Sequence, residues 1–369
     1  MNVSFLLPVY AQQGPFATAY LDVSRQTEHA VRRLHLSWRG LRDTLSGLGT
    51  PEPVLDRMSA AVEAGLGGPR PVGSQTQVVI ATPDGVVYDD RVAGPAPRDR
   101  ASWANLPDLF PLTTVAPARI PHIVALVDWA GADLTVFGPH YLGTAEVTGR
   151  RYPLTKVAPG GWSQRRYQQR AENLWAGNAH LVAEHVDRLA RQHRTRLIVV
   201  AGDVRAKAAL IEALPDTSRR QVVEVSGGRA AGSDDEIVRH STQRIVASEA
   251  HTGERAVVER FAEQRGRAGR AVEGMAETIA ALRQAEVEHL LIEAAGLEMP
   301  IPIGSGPLDL ALSTHDLGPV GVVGSARADA ALVRAAAAGS AEVHPISPAN
   351  GQTDRPWRAR DGVGALLRS

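Results

Sequence analysis

The segment Lys156–Trp175 (KVAPGGWSQRRYQQRAENLW) constrains the fold most, because it joins a tight turn directly to a long helix. Gly160 and Gly161 follow a proline, and glycine tolerates positive φ and lets the backbone approach another molecule closely. Apolar residues then recur at helical spacing as far as Leu189. The segment therefore predicts a flexible glycine tip on a helix. The alternative is an ordinary loop-to-helix transition with a solvated polar face.

The start of this predicted helix is basic. Arg165, Arg166 and Arg170 occupy its first two turns, where cations oppose the positive end of the helix dipole. Ser163 is a candidate N-cap, since its hydroxyl can accept an unpaired N–H of the first turn. Because this placement of positive charge is unfavourable, it indicates a surface that binds a polyanion. The alternative is a face of arginines exposed to solvent.

The length and composition of the chain limit the class of protein it can be. A chain of 369 residues is too long for one small core, so two or three domains are expected. Lys plus Arg and Asp plus Glu both number 40, so nucleic-acid binding would require local basic patches. Cysteine is absent, which excludes disulfides and thiolate metal sites. No signal peptide and no apolar run near about 18 residues is visible, which predicts a soluble, cytoplasmic protein without membrane contact.

The order of predicted elements indicates a mixed α/β architecture. Strands are predicted over 123–128, 133–138 and 141–148, followed by the tip and its helix, and then by an apolar strand over 197–201. Before this region, a strand over 16–24, helices over 28–47 and 53–66 and a hairpin over 77–88 form a first unit, and 92–117 shows few periodic signals. The elements predicted after residue 200 are helices over 204–214, 236–264, 274–284, 329–338 and 362–367, and strands over 221–225, 287–293, 318–324 and 341–346.

Motifs for common chemistries are weak or absent. No P-loop sequence and no GxSxG nucleophile motif occurs, and Gly304-Ser305-Gly306 is interpreted as a loop. His251 and Glu254 have metal-ligand spacing but lack a third ligand, which favours a solvated helix face. Asp203 ends the apolar strand and is interpreted as a helix cap rather than a catalytic group. We predict neither a cofactor nor a metal.

Another basic segment lies between the second and third units. Arg265, Arg267 and Arg270 alternate with two glycines, and this pattern suits phosphate contacts and a flexible linker equally.

The order strand, strand, strand, Gly-Gly tip, basic helix, apolar strand and Gly202-Asp203 resembles the central domain of the archaeo-eukaryotic peptide-chain release factors and their Pelota relatives. In release factors the tip reads Gly-Gly-Gln. Here Trp162 stands in place of that Gln, and Gln164 lies two residues later. The Gly-Gly-x-Ser-Gln form is similar to the bacterial branch, which includes the actinobacterial group and the hibernation factor Balon.

The resemblance implies three α/β domains. These are a mixed α/β N-terminal domain over 1–119, an RNase H-like central domain with the Gly-Gly loop over 120–264, and a three-layer α/β domain over 265–369 similar to kink-turn-binding ribosomal proteins. The likeness is looser in the first domain, where no codon-reading motif is visible.

The resemblance also implies a function: a factor shaped like a tRNA that occupies the ribosomal A site and points its tip at the peptidyl-transferase centre. The first expectation is a hibernation factor. The alternative is a peptidyl-tRNA hydrolase or rescue release factor, with Gln164 as its catalytic residue. Partners would be rRNA and a delivering GTPase such as elongation factor Tu. The implied RNA-binding residues are Gly160, Gly161, Trp162, Ser163, Gln164, Arg165, Arg166 and Arg170.

Overall fold

The computed structural model describes residues 1–24, 30–66, 75–93, 100–114, 120–138, 141–149, 162–227, 235–265, 269–346, 357 and 359–368. The chain divides into two compact units. One is the continuous stretch Ile120–Glu249, called the central unit below. The other, called the outer unit, combines Met1–Arg119 with Ala250–Ser369. The division of the outer unit into separate N-terminal and C-terminal domains stays a prediction.

A five-stranded mixed sheet, ordered β7-β6-β5-β8-β9, organises the central unit. Its first three strands form an antiparallel meander, whereas β8 and β9 continue the sheet in parallel with β5. The apolar run predicted as a buried strand is β8, and all of its residues from Leu197 to Ala201 are buried. The strands are β5 (His122–Asp128), β6 (Gly131–Phe137), β7 (Tyr141–Thr148), β8 (Leu197–Gly202) and β9 (Val222–Glu224).

Helices cover this sheet and carry its apolar core. The predicted long helix is Trp162–Gln192, and Val182, Val186 and Ala190 pack against the strands from it. Two shorter helices follow β8, Val204–Ala213 and Asp216–Arg219, and the helix Asp235–Arg265 runs from the central unit into the outer unit. Every described helix is too short or too polar to traverse a bilayer.

The outer unit contains an antiparallel sheet ordered β3-β2-β1-β4. The helices Ala30–Gly47 and Glu52–Leu66 pack on one face of it through residues such as Leu45 and Leu55. The predicted hairpin over 77–88 is confirmed as β2 and β3. The strands are β1 (Phe16–Asp22), β2 (Gln75–Thr82), β3 (Gly85–Ala93) and β4 (Arg100–Ala104).

A second sheet of the outer unit, ordered β10-β15-β11-β14, carries the helices Met275–Arg283 and Ala328–Ala338. The outer unit also contains a small two-stranded sheet, β12-β13. Its remaining described elements are 3-10 turns over Ser4–Leu6, Thr314–Val320 and Arg360–Gly362 and short helices over Leu7–Tyr10 and Phe110–Thr114. The strands are β10 (Ala271–Glu273), β11 (Val287–Glu293), β12 (Pro300–Ile303), β13 (Gly324–Arg327), β14 (Glu342–Ile346) and β15 (Val363–Leu367).

One apolar cluster joins the two sheets of the outer unit. Phe16, Leu109 and Phe110 from the first part of the chain share it with Leu290 and Leu332 from the last part. Because this core draws on both ends of the chain, residues 1–119 and 250–369 form one compact unit.

Two sequence predictions in the outer unit are wrong. Residues 362–367 form strand β15, not a helix, and pair with both β10 and β11. Residues 318–324 do not form a strand, because Gly318 and Gly321 adopt positive φ (58° and 74°) and a strand begins only at Gly324.

Candidate functional site

The helix that follows the predicted tip meets the central sheet at the edge where the parallel strands β5 and β8 have their carboxyl ends. Ligand sites of open α/β sheets form at such edges. Gly160 and Gly161 lie outside the described residues. The backbone of residues 162–170 forms the first turns of the helix Trp162–Gln192. The helix therefore begins one residue before Ser163, so Ser163 lies in its first turn rather than at the predicted N-cap.

The helix is anchored to this edge through Asn178, which is buried. Its Nδ2 donates a hydrogen bond of 2.9 Å to the backbone carbonyl of Trp129, in the turn between β5 and β6. The Trp129 and Trp175 rings stack at the same place, with centroids 4.3 Å apart and planes inclined by 32°. Gly149 lies against the Asn178 side chain, so that a Cβ at Gly149 would overlap it. These contacts fix the helix to the turn between β5 and β6 and to Gly149, the residue that follows β7.

The other end of the helix returns to the amino end of β5. The residues after it reach Arg196, whose backbone N–H donates 2.7 Å to the carbonyl of Pro121. The helix thus runs antiparallel to β5. Burial is described for residues 174–192 of this helix, and the buried ones among them fall between Asn178 and Ala190, a stretch of about 20 Å that matches the length of a strand of this size.

The first half of the helix is longer than the sheet requires. Trp162 lies sixteen residues before Asn178, which corresponds to about 24 Å at a rise of 1.5 Å per residue. An unbroken helix therefore carries its N-terminus about 24 Å past the carboxyl ends of β5 and β8. Arg165, Arg166 and Arg170 belong to this extension, which we call the arm helix (Trp162–Gly177).

Two carboxylates stand at the base of the arm helix, and both bind backbone amides. Asp203 accepts from Arg205 N (2.9 Å) and Ala206 N (3.1 Å), so the predicted helix cap is confirmed. Asp128 Oδ1 accepts from Ala130 N (2.7 Å) and Gly131 N (2.9 Å). Both groups therefore hold the turns at this edge of the sheet in place.

At the amino end of β5, His122 is buried and stacks on Phe137 with ring centroids 4.7 Å apart. Its Nδ1 lies 2.7 Å from the carbonyl of Ile120. Burial lowers the pKa of His122 to about 4. The imidazole is therefore neutral at pH 7 and fixes the start of the strand that supports the arm.

The other basic segment is described only in part. Arg265 ends its helix and donates 3.0 Å to Glu273, whereas Arg267 lies outside the described residues. His251 is exposed and lies 3.8 Å from Glu254, whose side chain is mostly buried. Among described residues, the pair is not part of a group with three possible metal ligands.

A family model of known proteins matches the part of the chain that contains the central unit. The profile described as bacterial archaeo-eukaryotic release factor family 2 matches residues 121–267. Two curated relatives from Mycobacterium tuberculosis, the uncharacterized proteins Rv2629 (strain H37Rv) and MT2704 (strain CDC 1551), are each 30% identical over 364 residues. The alignment covers 97% of this chain and 94% of each relative.

The chain belongs to the bacterial archaeo-eukaryotic release factor family. The predicted membership in the superfamily is thereby confirmed, while the closer kinship with the Balon group stays a prediction.

Solved structures similar to this family member include an archaeal translation termination factor, aRF1, at 15% identity, covering 99% of this chain and 96% of that one, with a TM-score of 0.24. The archaeal Pelota in the complex with the ribosome and ABCE1 has 14% identity, coverage of 99% and 93%, and a TM-score of 0.44. Dom34 from S. cerevisiae has 9% identity, coverage of 80% of both chains, and a TM-score of 0.38.

Sequence reasoning missed Asn178 and Trp129 as anchors of the arm. A signal for Asn178 was present, because it is a polar residue on the stripe formed by Leu174, Leu181 and His185 at helical spacing. Trp129 gave no local signal, since its partner lies 46 residues away in the chain.

Proposed function

We propose that this family member is a ribosome-binding factor that occupies the A site and acts in hibernation. The observation that carries the proposal is the arm helix, which extends about 24 Å past the sheet and begins directly after the Gly160-Gly161 sequence. A protruding arm with glycines at its end suits entry between packed nucleotides, because glycine has no side chain to collide with them.

The residues of the arm have the chemistry that RNA binding requires. A tryptophan such as Trp162 can stack on a base, which is worth roughly 1–3 kcal/mol. Arg165, Arg166 and Arg170 can each form bidentate hydrogen bonds with phosphate. Ribosome binding should therefore depend on these three arginines and weaken as salt rises.

Hydrolysis of peptidyl-tRNA is the second candidate, and Gln164 is the observation that favours it. Its amide and the backbone N–H groups of the tip would orient a water and stabilise the oxyanion. Trp162 replaces the Gln of the release-factor tip, and both carboxylates at the base of the arm bind backbone amides. These two facts lead us to place hibernation first.

Co-sedimentation with vacant 70S ribosomes tests binding. The variant with Arg165, Arg166 and Arg170 replaced by alanine should bind more weakly. The slope of log K against log[salt] should fall by roughly 2–3, since each phosphate contact contributes about 0.7–0.9. A matched control replaces Arg188, Arg205 and Arg220, which are exposed on the central unit. Equal losses in both triple variants would refute the arm as the contact surface.

Release of peptide from ribosomes carrying peptidyl-tRNA separates the two functions. We expect binding without ester cleavage. Cleavage that Gln164→Ala abolishes and the control Gln168→Ala preserves would establish the hydrolase instead. Adding elongation factor Tu and GTP to the binding assay tests delivery, because a delivering GTPase would accelerate association.

A further inference from the structure

A cluster of two histidines and one glutamate lies on the parallel strand pair β11–β14 of the outer unit. His289 is paired in register with Glu342, and His344 follows two residues later on β14. Because side chains alternate between the faces of a strand, residues at i and i+2 share a face. The three side chains therefore stand together on one face of two hydrogen-bonded strands, which are rigid supports.

The three donor atoms form a small triangle. His289 Nδ1 lies 3.0 Å from His344 Nε2 and 3.8 Å from Glu342 Oε2, and His344 Nε2 lies 3.5 Å from the same carboxylate oxygen. In a tetrahedral zinc site with bonds of about 2.0–2.1 Å, neighbouring ligand atoms are about 3.3–3.4 Å apart. The average side of this triangle has that length, so a single ion above it would reach all three atoms with little movement of the strands.

We propose that His289, Glu342 and His344 bind one divalent transition-metal ion, with Zn²⁺ as the best match. Two imidazoles and one carboxylate form a donor set that zinc accepts, and three protein ligands leave a fourth position for water or another molecule. The site faces solvent on the side of Glu342, whose side chain is 48% exposed, whereas those of His289 and His344 are 16% and 10% exposed. The sequence alone predicted no metal.

The groups around His289 determine which of its ring nitrogens carries the proton, and metal binding would change this. Arg260 Nη1 lies 3.3 Å from His289 Nε2, and its Nη2 pairs with Glu288 at 2.7 Å. This contact suits a proton on His289 Nδ1, which then donates to His344. If a metal bound Nδ1, the proton would sit on Nε2, which lies 3.5 Å from Glu288 Oε1, and Glu288 would serve as the outer carboxylate that orients the histidine.

The charges around the cluster act in both directions. Arg260 opposes a divalent ion, whereas Glu288 and Glu342 favour one.

Equilibrium dialysis of the metal-free full-length protein against Zn²⁺, with metal content measured by mass spectrometry, tests the proposal. We expect one equivalent of zinc to bind, and Co²⁺ substitution should give the visible absorption of a tetrahedral site. His289→Ala and the isosteric Glu342→Gln should weaken binding by more than about 100-fold, and Glu288→Gln by about 10-fold, since outer partners contribute about 10–100-fold.

His251→Ala is the matched control, because His251 also lies 3.8 Å from a carboxylate but has no third ligand near it among the described residues. It should leave zinc binding unchanged. Circular dichroism of the metal-free variants verifies that they are folded. Absence of stoichiometric zinc in the folded wild-type protein, or affinities of His289→Ala and Glu342→Gln within about threefold of wild type, would overturn the proposal.

Discussion

The contact between Gly149 and Asn178 at the base of the arm predicts a coupling that can be measured. A Cβ at Gly149 would overlap the Asn178 side chain, so Gly149→Ala must displace that amide from the Trp129 carbonyl, 2.9 Å away. Loss of this buried hydrogen bond should destabilise the arm base by about 1–3 kcal/mol. The backbone of Gly149 does not have positive φ, so the penalty comes from the contact and not from strain.

In the background of Asn178→Ala, the obstacle is absent. Gly149→Ala should then cost less than about 0.5 kcal/mol, which gives a coupling energy of about 0.5–3 kcal/mol in a double-mutant cycle. Hydrogen exchange of peptides covering residues 122–138, in the full-length protein, measures the local free energy of opening.

The neighbouring Gly177 provides a control of opposite sign. It lies in the helix, is exposed, and has open space around its Cβ position, so Gly177→Ala should stabilise by about 0.5–1 kcal/mol. If Gly149→Ala has the same cost whether residue 178 is asparagine or alanine, the proposed anchor is refuted.

Three further predictions concern stability. Asp203→Ala should lower the free energy of unfolding of the central unit by about 1 kcal/mol through loss of the N-cap, whereas Asp203→Asn should nearly preserve it in denaturant titrations. Because the pKa of His122 is about 4 when folded and 6.5 when unfolded, the unfolded state gains the proton first as pH falls. The free energy of unfolding should thus decrease by about 3 kcal/mol between pH 6.5 and 4. Hydrogen exchange of the peptide that covers β5 should show this pH dependence in the wild-type protein and not in His122→Phe. Ala365→Pro should destabilise the outer unit by at least about 1–3 kcal/mol, because β15 pairs on both sides; an unchanged thermal unfolding midpoint would contradict the strand.

Local sequence patterns predicted the central unit well. The run Leu197–Ala201 is apolar throughout and short, and both features are typical of a strand buried on two faces. Asp203 at its end is followed by helical residues, so its role as a cap could be predicted without the fold. The hairpin at Pro83-Asp84-Gly85 was equally evident, since turn residues separate two runs of β-forming residues.

The secondary-structure predictions failed where tertiary contacts outweigh the local helix or strand propensity of the sequence. Val363–Leu367 contains one alanine and two leucines, which favour helices, yet it forms a strand that pairs between β10 and β11. The strand Pro300–Ile303 was hidden by its two prolines, which are tolerated in a two-stranded sheet because strands there have an unpaired edge. The tip residues Gly160 and Gly161 lie outside the described residues, so their role stays a prediction from sequence.

The metal cluster could not be recognised from local sequence. Glu342 and His344 form an ordinary i, i+2 pair on one strand, and His289 lies 53 residues before Glu342 in the chain. Only the parallel pairing of β11 with β14 brings them together. Residues of this kind become visible once strand order is known.

The apolar cluster that joins Phe16 and Leu109 to Leu290 and Leu332 has a consequence for biosynthesis. During translation, the first 119 residues emerge long before the last 120 that complete their core, and loops of this length form slowly. The central unit, by contrast, is complete once residue 249 has left the exit tunnel. In a nascent chain stopped at that point, the central unit can fold, whereas residues 1–119 still lack the last part of their core. Chaperones should therefore bind residues 1–119.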